Sequence, residues 1–243
     1  MMRMDRMEPL QPAQAGADLS LDRVSLGYGA RLAVQDLSGH FARGSMTAVI
    51  GPNGGGKSTL LKGLLGLLRP LRGSIASRHP RPALGYLPQA GGVDPQFPVS
   101  VEDFVAVGLW PRIGAFGRVT PPLAERVRAA IAAVGLQGLQ AHYIGELSGG
   151  QFQRMRFARL LVQDPPVVLL DEPLAGVDEA TAQALLQLLQ DWHVQGKTVI
   201  AVLHERERVR SHFPQTLALA GRMRGWGETR AVLEALEDAE WPR

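Results

Sequence analysis

The residue types best suited to chemistry gather in GPNGGGKST, residues 51–59. Gly51 and Gly56 stand six and one positions before Lys57, and Ser58 follows, between a short apolar run (Ala48, Val49, Ile50) and a leucine-rich stretch. This is GxxxxGK[ST] in a strand–loop–helix setting, where glycines let backbone N–H groups turn inward at the positive end of a helix. Such a cradle suits a polyphosphate, with Lys57 reaching the terminal phosphates as a point charge and the Ser58 hydroxyl ligating Mg²⁺.

Four other stretches carry reactive or anion-seeking groups. Val167-Val168-Leu169-Leu170 reads as a buried parallel strand and delivers Asp171-Glu172 at its carboxyl end, where open α/β sheets bind ligands. Two adjacent carboxylates there can divide the work of metal ligand and general base. Lys197–Leu203 (KTVIAVL) reads as another buried strand and ends at His204, and Ala83–Leu87 leads through Pro88 to Gln89. At 147–151, LSGGQ places Ser148 as an N-cap, with Gly149 and Gly150 stripping side chains from the first turn, so that an anion can approach closely. Tyr28 precedes a glycine at the end of a strand, a position commonly filled by a half-buried packing residue.

These residues need an ordered set of elements to hold them. Residues 1–17 are polar, contain Pro and Gly, and read as a disordered leader. Leu19 to Phe41 alternates in two segments that look like antiparallel strands feeding the strand of the glycine loop, and residues 57–68 form a leucine-rich helix. Residues 71–88 hold two short strand candidates. A helical insert follows, with helices expected from about 101 to 107 and 123 to 134 around the loop WPRIGAFGRVTPP, then the helix after LSGGQ. A helix is expected from about Glu179 to Trp192, and beyond His204 a charged, mostly helical tail contains a strand-like GRMRGWGE.

Composition narrows the classes. Hydrophobic residues make up 45% and charged residues 20%, as in ordinary globular proteins, and the formal net charge is only +3. Without a clustered Lys/Arg run nucleic acid is not indicated as a partner, and without cysteine there are neither disulfides nor thiolate metal sites. No window is apolar enough to span a membrane, and residues 1–20 lack the apolar core of a signal peptide.

Taken together, these stretches resemble the nucleotide-binding subunit of ATP-binding cassette (ABC) transporters, over about 19–234. Gly51, Pro52, Asn53, Gly54, Gly55, Gly56, Lys57, Ser58 and Thr59 match the phosphate loop, YLPQ (86–89) the glutamine loop, LSGGQ the signature, VVLLDEP (167–173) the metal and base strand, and His204 the switch histidine. The resemblance implies a fold of the α/β class: a phosphate-loop core with a mainly parallel sheet, an N-terminal antiparallel β layer and a helical subdomain at about 90–164, in one domain over 18–243. It implies ATP and Mg²⁺ as cofactors, Tyr28 stacked on adenine, Gln89 sensing the γ-phosphate and Mg²⁺, Asp171 and Ser58 on Mg²⁺, and Glu172 polarising the attacking water. Ser148, Gly149, Gly150 and Gln151 would act on ATP held by a second copy of the chain, with Asp178 in the loop between subunits. Departures are Gly55 where the family usually has Ala, and Glu205 after His204 where Asp is common.

A narrower likeness lies in VDPQFPVSVEDFVAVG (93–108) with LAGVD (174–178), which resemble the zinc and manganese importer branch. It implies a separate integral membrane permease, an external substrate-binding protein acting through it, and a place at the cytoplasmic face of the membrane. The same insert serves importers of iron chelates and haem, so these stay open as cargo, and the six histidines show no metal-ligand spacing. Phe97, Phe104, Trp110 and Phe116 form either a docking surface beside Gln89 or the subdomain's own core. A DNA-repair ATPase would need long heptad arms between Lys57 and Leu147, and the chain has no sustained heptads there. A non-hydrolysing binding module would not need Glu172, Gln89 and His204 together.

Overall fold

The structure, a computed structural model, describes residues 15–89, 94, 97–114 and 117–237. Residues 1–14 of the expected leader, residues 90–93 and Phe116 of the aromatic set lie outside the described residues.

Two sheets enclose the first helix. β1 (Ala17–Tyr28) pairs antiparallel with β2 (Arg31–Ala42) and with β4 (Arg72–Ser77) in a three-stranded sheet. The second sheet has six strands: β5 (Leu84–Leu87), β6 (Val167–Asp171), β7 (Thr198–Val202), β3 (Met46–Ile50), β8 (Gln215–Ala220) and β9 (Arg222–Glu228), in that spatial order. Its first five strands run parallel, and β9 closes the edge antiparallel. Strands β3, β6 and β7 are buried at every residue, as unbroken apolar runs covered on both faces should be. Helix α1 (Lys57–Leu64) sinks Leu60, Leu61 and Leu64 between Val24 and Leu26 of one sheet and Val49 and Ile200 of the other. Each such side chain contributes about 1.5–3 kcal/mol by leaving water.

Parallel register is what gathers the chemistry. Val49 of β3 and Asp171 of β6 both stand opposite Val202 of β7, and Leu87 of β5 stands opposite Leu170. The residues that follow, Gly51, Glu172, His204 and Gln89, therefore leave the sheet along one carboxyl edge.

The helical insert consists of α2 (Val101–Ala106), α3 (Trp110–Ile113), α4 (Pro121–Ala133) and α5 (Gly149–Gln163). Its core is continuous with the far face of the parallel sheet and with α6 (Glu179–Val194), where Phe157 stacks on Trp192 at a centroid distance of 6.0 Å. Asp164, which ends α5 in the left-handed region (φ +53°), is bonded by Lys197 at the start of β7 and by Arg126 of α4 at 3.2 Å. The chain ends in α7 (Arg206–His212) and α8 (Thr229–Glu237).

Three local expectations change. Helix α1 stops at Leu64, short of residue 68, because Gly66 turns left-handed (φ +69°), and Leu67 is left exposed. The expected loop at 110–113 is helical: Pro111 suits a first turn, and Gly114 (φ +73°) ends it. In the tail, QTLALA is a central strand, β8, pairing with β3 directly beside the glycine loop.

Candidate nucleotide site

The loop after β3 works because its glycines bring backbones together. A Cβ on Gly51 would lie 1.9 Å from Leu219 O of β8, and one on Gly56 (φ +95°) would lie 2.3 Å from Ala33 O of β2. Both approaches exclude any side chain, so the loop is clamped between the two sheets at the start of α1. Lys57 Nζ curls into the loop and donates to Gly51 O and Pro52 O, 2.9 Å each. Burial lowers the Lys57 pKa, while Glu172 and Asp171 pull it back up. Among the described residues the ammonium donates to carbonyls, and a phosphate oxygen would be a stronger, charge-assisted acceptor.

The opposite wall comes from the end of β6. Ser58 Oγ donates to Asp171 Oδ1 at 2.9 Å. Burial raises the Asp171 pKa and the Glu172 charge adds to this, against the Ser58 bond, Lys62 and Lys57. Glu172 takes the left-handed conformation (φ +51°), which swings its carboxylate off the strand, and its Oε1 meets His204 Nε2 at 2.6 Å. A non-glycine residue in that conformation costs about 1–2 kcal/mol, and such strain concentrates at working sites. Asn53, Gly54, Gly55, Gly56, Lys57, Ser58, Thr59, Gln89 and Glu172 line one cavity of about 390 Å³.

A hydroxyl and a buried carboxylate with a glutamine amide nearby are hard oxygen donors of the kind Mg²⁺ takes together with phosphate oxygens. The ionisation cost that burial imposes on Asp171 is what a divalent cation would relieve. The donor set therefore fits the ion.

Tyr28 ends β1 and is 55% exposed, so its ring is not the half-buried packing residue that strand ends commonly hold. It stands outside the 390 Å³ cavity.

The signature residues also stand elsewhere. Ser148 caps α5, accepting from Gln151 N at 3.2 Å, and Gln151 Oε1 accepts from Ser148 N at 2.9 Å, a closed capping box. With those bonds made inside the turn, exposed Gly149 and half-buried Gly150 present bare backbone. Asp178 caps α6 by accepting from Thr181 N and Oγ1 at 2.9 and 2.8 Å, and these bonds lower its pKa. A Cβ on Gly150 would lie 3.4 Å from Asp178 Oδ2, so signature and loop form one surface. None of residues 148–151 lines the cavity around Lys57; Gly149 lines a separate groove of about 880 Å³.

That groove runs between α5, β5 and α2–α3. The aromatic set divides across it: Phe104 is buried in the helical core, whereas Phe97 and Trp110 are 63% and 51% exposed. Sequence reasoning missed the bonds beneath the groove. Gln153 Nε2 donates to Pro173 O at 2.6 Å, Arg156 donates to Pro88 O and to Gln153 Oε1, and Arg159 donates to Tyr86 O at 2.7 Å. The only sequence signal for them was the basic side of the helix after LSGGQ.

A glycine loop clamped at the carboxyl edge of a mainly parallel sheet, with a lysine inside it and a carboxylate pair opposite, defines a phosphate-loop nucleoside triphosphatase. The family model for ABC transporters matches residues 34–175, and the chain belongs to this family as an ATP-binding, ATP-hydrolysing cassette. The manganese transport system ATP-binding protein MntB of Bacillus subtilis is 38% identical over 219 residues, 88% of each chain. The zinc transport system ATP-binding protein TroB of Treponema pallidum is 38% identical over 211 residues, 84% of this chain and 79% of that one. An inward-facing structure of an ABC transporter described as of metal-chelate type aligns with a TM-score of 0.80 at 33% identity, over 90% of this chain and 87% of that chain.

Proposed function

We propose that this chain hydrolyses ATP to power import of a divalent transition metal, manganese or zinc, through a separate membrane permease. The observation that carries the hydrolytic part is the 390 Å³ cavity in which Lys57, Ser58, Gln89 and Glu172 converge, with His204 on the Glu172 carboxylate. The manganese and zinc systems of its relatives support the cargo. Among the described residues no cluster of His, Cys, Asp and Glu forms a metal site, and in this reading the partners select the cargo. No helix among the described residues is long and apolar enough to cross a membrane, and this reading places the channel in the permease and the chain at its cytoplasmic face.

In the proposed mechanism the backbone N–H groups of residues 53–58 and Lys57 hold the β- and γ-phosphates, and Tyr28 stacks on adenine. Ser58 and Asp171, with Gln89, would hold Mg²⁺, which would supply neutralisation of phosphate charge. Glu172 orients the attacking water in line with the γ-phosphate and accepts its proton, and His204 fixes the Glu172 carboxylate. Ser148 to Gln151 and Asp178 form a half-site apart from the phosphate cradle of their own chain, so a second copy completes each site in a two-fold head-to-tail dimer. This uses the whole of 18–243 as one nucleotide-binding domain, with residues at about 90–164 as the subdomain that meets the permease. The 880 Å³ groove, with exposed Trp110 at its rim, is the docking surface.

The test is ATPase activity of the complex reconstituted with its permease and external binding protein, challenged in turn with manganese, zinc, ferric chelate and haem. Stimulation by manganese or zinc is expected. Stimulation by ferric chelate or haem alone would overturn the cargo and leave the ATPase reading standing.

A further inference from the structure

Among the described residues that line the docking groove there are two half-buried arginines and no carboxylate. Arg156 and Arg159 of α5 both line it, and burial lowers both pKa values. Arg159 donates to Tyr86 O, and Arg156 donates to Pro88 O and to Gln153 Oε1. A guanidinium carries five N–H donors, and the bonds among the described residues use two of Arg156's and one of Arg159's. Phe104, Val107, Trp110 and Phe152 supply apolar wall around them. A half-buried cation whose bonds among the described residues go to neutral acceptors complements an incoming carboxylate, which a guanidinium grips in a planar fork.

Arg156 also sits at a junction. Its partner Pro88 precedes Gln89, and its partner Gln153 donates to Pro173 O, next to Glu172. A group that pulls on Arg156 therefore pulls on carbonyls flanking both the glutamine and the base of the hydrolytic site.

We propose that the permease segment docking in this groove presents an acidic side chain that pairs with Arg156, and that the pairing adjusts Gln89 and Glu172 through the Pro88 and Pro173 carbonyls. The inference rests on the reading of the groove as the docking site.

The experiment measures the affinity of this chain for its detergent-purified permease and the ATPase stimulation the permease gives. Arg156→Gln should weaken association about tenfold, within the range for residues coupled in one salt-bridge network, and lower the maximal stimulation, while Arg156→Lys recovers part of both. Each Asp and Glu of the permease's cytoplasmic loops is then changed to its amide, which leaves this chain intact even if Arg156→Gln melts early. One amide variant should reproduce the loss, and combining it with Arg156→Gln should cost no more than either alone. Wild-type association by Arg156→Gln, or simple additivity with every permease amide, overturns the pairing. Trp110→Ala separates the two levels. If it weakens association and Arg156→Gln does not, the groove stands and the acidic partner falls; if neither weakens it, the docking site falls as well.

Discussion

Replacing Glu172 by Gln isolates proton transfer from everything else the residue does. The amide keeps the length and shape of the carboxylate and can still bond His204 Nε2 where Glu172 Oε1 does, at 2.6 Å. Gln at φ +51° bears the same left-handed cost as Glu, so folding stability should stay within about 0.5 kcal/mol of wild type. The phosphate-holding groups, Lys57 and the loop N–H donors, keep their positions, with Lys57 Nζ still on Gly51 O and Pro52 O. Removing a negative charge from the wall facing a polyanion also lowers repulsion, so ATP should bind at least as tightly. What is lost is the base, worth about 10²- to 10⁴-fold in turnover, or about 2.7–5.4 kcal/mol of barrier. Phosphate release at saturating Mg-ATP reads the first quantity, and titration with a fluorescent ATP analogue reads the second. Wild-type turnover would refute the base assignment. A tenfold loss of nucleotide affinity would instead make Glu172 a structural support of the cradle.

Other substitutions test the remaining parts. Burial raises the Asp171 pKa above the unfolded value of about 3.9, so the folded chain holds that proton more tightly and ionisation costs stability, with no cost below the unfolded pKa and the full cost above the folded one. Asp171→Asn should therefore melt higher at pH 7 without nucleotide or cation, by on the order of 1 kcal/mol, with the difference shrinking as pH falls; a pH-independent difference contradicts the burial argument. Tyr28→Ala should weaken ATP binding by about 1–3 kcal/mol if the exposed ring stacks on the base, and unchanged affinity in the titration would remove Tyr28 from the site. Thr198→Val strips a donor from buried Asp18 Oδ2 (2.6 Å) and an acceptor from Gly44 N (2.8 Å), so denaturant melts should show a loss of about 1–3 kcal/mol per orphaned group. Wild-type stability there would mean that this link between the two sheets is not needed.

Much of the site was legible because its signals are local. A glycine loop before a lysine, a cap before two glycines and apolar runs ending in Asp171 or His204 each declare themselves within a few residues, and parallel pairing then sets Gly51, Glu172, His204 and Gln89 on one edge. Strand β8 was not legible: LALA in a charged tail becomes a strand only because β3 offers it an unpaired side, a tertiary fact. The bonds from Arg156 to Pro88 O and from Gln153 to Pro173 O were equally hidden. They join residues 68 and 20 positions apart, and they end on backbone carbonyls, which any sequence supplies. The fate of the aromatic patch turned on packing as well, since Phe104 and Trp110 share a residue class but face the helical core and solvent respectively.

The central claim is that ATP in the cradle of one copy is closed by Ser148, Gly149 and Gly150 of another. Light scattering on the Glu172→Gln chain, with and without saturating Mg-ATP, addresses it most directly. With nucleotide the mass should double from the 26.2 kDa of one chain, and Ser148→Arg added to the same chain should return it to that value. A mass that stays at one chain under saturating Mg-ATP would contradict the composite site.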